Sequence, residues 1–332
     1  MGMERGRDIR ELCLACQGDK SGAVLLPGGR GKAAFNGILN INKPSGLTSH
    51  DVVERIRRAT GVRRVGHAGT LDPAASGVLL VCVGQATRVS EYLMDGKKCY
   101  DAQMRLGVTT DTGDAEGRVL RSLSGISTPR EQVEMVLTGF KGRVEQVPPM
   151  YSALKHKGRP LYELARQGIE IERAPREVEI YDLAIVEWTP PSFRVLVECS
   201  RGTYVRALAM DMGKALGTGA HLERLMRVAC GSYSLDNAVS LEEAEQSFSN
   251  GRWSQILHPT DEALLHFEAF VIDPDTETRV RQGQHVEGPE PLTSRFCRTY
   301  NPSGEFVALL QYNDEHKTWR PRKVFNLHEA IS

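Results

Sequence analysis

In residues 66–77, GHAGTLDPAASG, one carboxylate, Asp72, stands among small residues and is followed at once by a proline. The proline biases Asp72 towards an extended backbone, and the glycines and alanines let a bulky ligand approach the chain closely. A carboxylate presented in this way can attack as a nucleophile or move a proton. Just upstream, Arg55, Arg57, Arg58, Arg63 and Arg64 place five arginines within ten residues, enough to follow a phosphate backbone. His67 could stack on a base or contact a phosphate. Each feature also has an ordinary explanation. Asp-Pro in a glycine-rich loop is commonly a turn in which Asp bonds its own backbone. An arginine-rich helix face is commonly a solvated one, and a lone histidine is commonly structural.

The elements around this loop read clearly. ILNI (38–41) is a short apolar run that stops at KPSG (43–46), a turn signal. In SHDVVERIRRATG (49–61), Val52, Val53, Ile56 and Ala59 recur at helical spacing up to Gly61, with the arginines on the other face. GVLLVCVG (77–84) is a continuous apolar run, as expected of a strand buried on both faces. YDAQMRLGV (100–108) and FRVLVEC (193–199) alternate as strands, and TYVRALAMDMGKALG (203–217) and LEEAEQSF (241–248) read as helices. In TPREQVEMVLTGF (128–140), Thr128 is the expected N-cap, with Glu131 completing a capping box. The intermingling without a regular βαβ repeat predicts an α+β body with a mixed or antiparallel sheet. From about 268, short strand-like runs, among them EAFVIDP, RVRQGQHV and EFVALLQY, predict a small all-β domain. Residues 1–35 show little periodicity and are expected to be a flexible extension.

The totals bound these readings. At 332 residues, two domains are expected. Lys+Arg and Asp+Glu both number 42, so any nucleic-acid partner must be met by locally concentrated arginine and lysine. No apolar run nears the roughly 20 residues of a membrane helix, and the N-terminus does not read as a signal peptide. The seven cysteines are scattered and odd in number, which suits a reducing cytoplasm. Cys13 and Cys16 form one CxxC, but no second ligand pair at suitable spacing makes it a zinc site.

Beyond the single loop, GHAGTLDPAASGVLLVCVGQATR (66–88) closely resembles the catalytic motif of the TruB family of pseudouridine synthases. NINKPSGLTSHDVV (40–53) resembles the motif that precedes it, and KKCYDAQMRLGVTTDTGDAEG (97–117) the tyrosine-bearing strand and acidic loop. VPPMYSALKHKGRPLYELARQG (147–168) resembles the thumb-like RNA-contacting segment, and CSRGTYVRALAMDMGKALGTGAHLERLMRVACGSY (199–233) the arginine motif. The resemblance runs in order over roughly 36–260, and the C-terminal part looks like the small RNA-binding domain of the PUA type. It departs modestly: the family loop often has a bulkier residue at Ala74 or Ala75 and Thr at Ser76, and the extension has no counterpart.

The resemblance implies a catalytic domain over 36–265 and a PUA-like RNA-binding domain over 266–332. It implies a stand-alone enzyme that isomerises uridine 55 in the TΨC loop of tRNA by flipping the base. Asp72 would be the catalytic aspartate, Tyr100 would stack on the uracil, and Arg206 would pair with Asp72 and lower its pKa. Tyr204, Leu225, His67 and Asp114 fall on substrate-contacting positions. Arg55, Arg58, Arg63, Arg64, Lys155 and Arg159 are the expected phosphate contacts. No metal or organic cofactor, no guide RNA and no membrane are expected, and the protein is read as a cytoplasmic monomer. Three other readings were open. A guide-dependent relative would carry long flanking segments. A catalytically idle RNA-binding protein would have no need of Asp72, Tyr100 and Arg206 together. An aspartate-dependent glycoside hydrolase would need a second carboxylate.

Overall fold

The computed structural model describes residues 35–327; the expected N-terminal extension, with Cys13 and Cys16, lies outside them except for Phe35. The chain opens with β1 (Gly37–Lys43), α1 (Ser49–Thr60), β2 (Val65–Ala68), β3 (Ser76–Val83), α2 (Ser90–Asp95) and β4 (Lys98–Leu106). The hairpin β5 (Val108–Thr110) and β6 (Val119–Ser122), helix α3 (Arg130–Thr138) and strand β7 (Gly142–Gln146) follow. A small hairpin, β8 (Lys155–His156) and β9 (Arg159–Pro160), leads to α4 (Leu161–Arg166). Then come β10 (Arg176–Thr189), β11 (Ser192–Cys199), α5 (Val205–Ala215) and β12 (Ala220–Cys230). The body ends with β13 (Tyr233–Ser234), β14 (Val239–Ser240), α6 (Leu241–Ser249) and β15 (Leu257–His258).

One mixed sheet holds the body together, in the order β14-β1-β3-β12-β4-β11-β10-β7, with β2, β13 and β15 attached at its sides. The expected α+β class is what forms. Helix α1 is delimited as its sequence requires. Thr48 and Asp51 close a capping box at its start, and Gly61 ends it at φ 67°, a left-handed position that suits glycine. Its Val52, Val53 and Ile56 pack on Leu39, Ile41, Leu79 and Val81 of the sheet. Helix α3 departs from expectation. Pro129, not Thr128, is its N-cap, and no side chain caps it. That shift takes Glu131 out of the N3 position a capping box needs.

Strand β3 explains its own unbroken hydrophobicity. Leu79, Val81 and Val83 face the α1 layer. Val78, Leu80 and Cys82 face the opposite side, in a cluster with Leu264, Phe306, Leu309 and Phe325. Phe306 and Leu309 belong to the small C-terminal sheet, β16 (Glu268–Val271), β17 (Phe296–Tyr300), β18 (Phe306–Asn313) and β19 (Thr318–Val324), and Phe325 directly follows its last strand. This unit is not purely β. Helix α7 (Pro274–Arg281), capped by Asp273, takes up the start of RVRQGQHV, which reads as a strand from sequence. The Asp-Pro start and the acidic first turn favour the helix there.

Polar contacts join the small sheet to the body as well. Tyr300 donates to Asp261 at 2.6 Å, Lys323 pairs with Glu91, and the Arg88 guanidinium lies 4.9 Å from the Phe325 ring centre. A chain ending near residue 265 would expose Val78, Leu80 and Cys82 to water. We expect such a truncation to lose cooperative thermal unfolding or to aggregate on expression; a soluble fragment with the full chain's melting temperature would contradict this.

Gly77 marks the tightest junction near the site. It pairs with Arg227 across β3 and β12, at φ 101°. A Cβ there would fall 2.2 Å from the Arg227 carbonyl oxygen. Gly77→Ala is therefore expected to destabilise the protein by about 3 kcal/mol, combining backbone strain with a steric clash that neither strand can relieve. Urea unfolding would measure it, and a loss below about 1 kcal/mol would show that the two strands part easily.

Candidate active site

Asp72 lies in the loop between β2 and β3, and its backbone is held by its neighbours. The Ala75 amide donates to the Asp72 carbonyl at 3.1 Å, and the Gly46 amide donates to the Pro73 carbonyl at 2.8 Å. Ser49 accepts from the Leu71 amide at 2.9 Å and donates to the Leu71 carbonyl at 3.1 Å. The motif that precedes the loop in sequence thus supports it in space.

Arg206, near the start of α5, donates through Nε to the Asp72 carboxylate at 2.9 Å. Its other nitrogens reach the Tyr151 carbonyl at 2.7 Å, the Thr112 carbonyl at 3.2 Å and the Asp114 carboxylate at 3.6 Å. One buried guanidinium therefore ties together the aspartate loop, the acidic loop and the thumb-like segment. Helix α5 is aimed by a two-point clamp. The Tyr204 amide donates to Gln146 Oε1 at 2.7 Å, and Gln146 Nε2 donates to the Tyr204 carbonyl at 3.0 Å.

Two cavities meet at this pair. One, of about 660 Å³, is lined by Gly69, Asp72, Tyr100, Tyr204, Arg206, Leu225 and Arg227 among others. The second, of about 420 Å³, has Asp72, Arg206 and Leu225 on its wall together with Asp114, Asp101 and Glu223. Asp72, Arg206 and Leu225 thus stand on the partition. Tyr100 is buried on β4, and burial pushes its hydroxyl up to about 12, so at neutral pH it is a neutral donor.

The expectation for the Asp72 pKa is corrected. Arg206 does pull it down, but burial outweighs that, and the Asp114 carboxylate adds to the rise, so the net direction is upward. The Asp72 side chain still shows 40% of its surface to the cleft, so water moderates the rise.

The other expected site residues divide. Asp114 and Tyr204 stand at the cavities; Asp114 also shapes its own turn, accepting from the Glu116 amide at 3.1 Å. His67, on β2, lines neither cavity; its Nδ1 is buried without a hydrogen-bond partner, and burial depresses its pKa. Arg55 is engaged within the fold, bonded to Glu245 at 2.5 Å and Glu242 at 3.2 Å on α6. That pairing explains why its side chain turns away from the free arginine face. Arg58, Arg63 and Arg64 are exposed and enter no ion pair among the described residues. Lys155 and Arg159 are exposed on the β8–β9 hairpin, whose two turn residues, Lys157 and Gly158, both have positive φ.

Sequence reasoning missed two residues. Lys43 is fully buried, and its ammonium donates to the carbonyls of Leu47 at 2.6 Å, Pro44 at 2.9 Å and Pro73 at 3.2 Å. Burial lowers its pKa to about 8 against the pull of Asp72. Arg227 is 1% exposed and donates to the Val78 carbonyl at 2.7 Å and the Gly69 carbonyl at 3.1 Å. The available signal was a single cation inside an apolar strand, as in LMRVAC (225–230). Among the described residues no group of three or more His, Cys, Asp or Glu could hold a metal ion, and no helix is long and apolar enough to cross a membrane.

A carboxylate raised by burial and by a like charge loses its ionised form at a higher pH than an ordinary aspartate, near 3.9. If turnover needs ionised Asp72, the acid limb of its pH–rate profile lies above that value. Asp114→Asn removes the repelling charge and leaves Arg206 to Asp72, so the limb should move to lower pH. Single-turnover rates from pH 4.5 to 8 for both proteins would test this, and an unmoved or upward-shifted limb would refute the electrostatic account.

Comparison with known proteins adds to this geometry. Residues 57–205 match the N-terminal domain of the TruB family pseudouridylate synthases, and residues 206–265 match the tRNA pseudouridylate synthase B C-terminal domain. The tRNA pseudouridine synthase B of Dehalococcoides mccartyi is 43% identical over 88% of this chain and 97% of its own. Those of Azoarcus and Alkaliphilus oremlandii are 46% and 47% identical, over 87% and 85% of this chain and 94% and 95% of theirs. Among solved structures, a chain of a Cbf5–Nop10–Gar1 complex is 26% identical with a TM-score of 0.69, over 88% of this chain and 86% of that one. A chain of an H/ACA RNP bound to a substrate RNA containing 2′-deoxyuridine, 23% identical with a TM-score of 0.66, covers 89% of this chain and 86% of that one and shares the fold.

Proposed function

Because the chain belongs to the TruB family and is a pseudouridine synthase, we propose that it isomerises uridine 55 in the TΨC loop of tRNA, without a guide RNA. The observation that carries the reading is the Asp72 carboxylate, held 2.9 Å from buried Arg206 where two cavities meet. The reacting atoms of a stacked uridine are out of reach, so the nucleotide must be flipped. In the larger cavity its base would lie against Tyr100, with Leu225 and Tyr204 as further walls. The N1–C1′ bond breaks, the base turns, and a C5–C1′ bond forms while C5 gives up its proton and N1 gains one. Asp72 serves either as the nucleophile or as the group that stabilises the sugar cation and moves a proton.

Recognition is assigned to exposed cations. Arg58, Arg63, Arg64, Lys155 and Arg159 would track the phosphates of the T-arm, and Arg55 could join them only by leaving Glu245. The small domain over 266–332 is read as a second tRNA contact. Several of its cations are already paired, Arg281 with Glu277 at 2.7 Å and Lys317 with Glu290 at 3.7 Å, so the exposed Arg279, Arg320 and Arg322 are its candidate contacts. A monomer acting in the cytoplasm fits this reading.

The test is an unmodified tRNA transcript with position-specific mapping of pseudouridine. The wild-type protein should modify one site, uridine 55. Asp72→Asn should lower the single-turnover rate more than about 1,000-fold while tRNA affinity stays within a few fold. Arg63→Ala with Arg64→Ala should weaken binding and reduce the slope of log affinity against log salt by about 1 to 2. Turnover by Asp72→Asn, or modification at another uridine, would overturn the assignment.

A further inference from the structure

Arg227 has no role in the reading above, yet its position is unusual. It is 1% exposed, and among the described residues it enters no ion pair with a carboxylate. Burying a cation without a counter-ion is costly, and an apolar side chain would close the sheet at lower cost. What the guanidinium reaches accounts for it. Nε donates to the Val78 carbonyl at 2.7 Å, and a terminal nitrogen donates to the Gly69 carbonyl at 3.1 Å. Gly69 and Val78 bracket Asp72, one on each arm of its loop. The other terminal nitrogen lies 3.5 Å from where a Cβ on Gly69 would stand, so the loop passes directly over the guanidinium. Across the strands, Arg227 is the register partner of Tyr100. Gly69, Asp72, Tyr100 and Arg227 all line the same cavity.

We propose that Arg227 is a positioning residue for the isomerisation: it pins both arms of the Asp72 loop to β12, directly across from Tyr100. The planar fork of arginine spans two carbonyls at fixed angles, which a lysine ammonium on a flexible stem does not. Asp72 and Tyr100, which lie on separate elements, are thereby referred to one rigid group.

The inference rests on the proposed active site, and its test keeps the two apart. Arg227→Lys and Arg227→Gln are made in the full chain, alone and combined with Tyr100→Phe, alongside Asp72→Asn. Melting temperature, tRNA affinity and single-turnover rate are measured for each. Arg227→Lys should stay folded and bind tRNA within about 3-fold of wild type, because Arg227 is not a phosphate contact. Its single-turnover rate should fall about 100-fold, the scale of a small misplacement of reacting groups. In the Tyr100→Phe background the same change should cost only about 10-fold, because the two side chains are coupled. Equal losses in the two backgrounds, a wild-type rate for Arg227→Lys, or failure of both Arg227 variants to fold would each overturn the proposal. An inactive Asp72→Asn beside a fully active Arg227→Lys would sink only this inference; an active Asp72→Asn would sink the site itself.

Discussion

The Asp72 carboxylate stands where two cavities meet, held and aimed by one buried guanidinium against the cost of burial, and much of this molecule follows from that pairing. Burial works against ionisation, and the nearby Asp114 carboxylate works against it further. Arg206 supplies the opposing force, and it can do so only because its remaining donors are satisfied by fixed carbonyls at Tyr151 and Thr112. An arginine with loose donors would turn towards water or towards Asp114. The pair at 2.9 Å is therefore the visible end of a network that includes the clamp between Gln146 and Tyr204, which sets the start of α5.

Backbone carbonyls are the common currency of this frame. Lys43 gathers three of them, including that of Pro73, and Arg227 gathers those of Gly69 and Val78. Three buried cations so surround the Asp72 loop, yet only Arg206 touches the carboxylate. This division makes physical sense. Carbonyl dipoles stabilise a buried cation without neutralising it, so Lys43 and Arg227 add positive potential around Asp72 while holding its loop still. A set of carboxylate counter-ions would hold the cations equally well and would add like charge beside the reacting group.

Local chemistry was legible in the sequence, and long-range geometry was not. The ends of α1 could be read because Val52, Val53, Ile56 and the terminal Gly61 are short-range signals. The central place of β3 could be read because an unbroken apolar run needs cover on both faces. Tyr100 and Arg206 were reached only through the resemblance of long motifs, since a tyrosine on a strand and an arginine near a helix start are ordinary alone. Arg227 escaped because nothing local says whether a strand arginine faces water or a carbonyl. Register shifts in β12 on either side of Leu225 settle that, and they depend on pairing with β4, which lies more than a hundred residues earlier in the chain. The pairing of Arg55 was out of reach for the same reason: Glu242 and Glu245, which bind it, are nearly two hundred residues away.

The small C-terminal sheet shows how packing limits what a domain boundary can mean. Its Phe306, Leu309 and Phe325 share a core with Val78, Leu80 and Cys82 on the back of the strand whose leading end carries the Asp72 loop. A hinge between the two sheets would have to open that apolar seam, at about 25 cal/mol for each Å² exposed. The hydrogen bond of Tyr300 to Asp261 and the ion pair of Lys323 with Glu91 would have to yield as well. The exposed cations of the small sheet are thus held at a set distance from Asp72. A long RNA that met both would lose its freedom once, on docking, with no further loss for ordering one domain against the other. An RNA contact made on that sheet, away from the Asp72 loop, would strengthen ground state and transition state alike, so it would add binding without changing the step that follows.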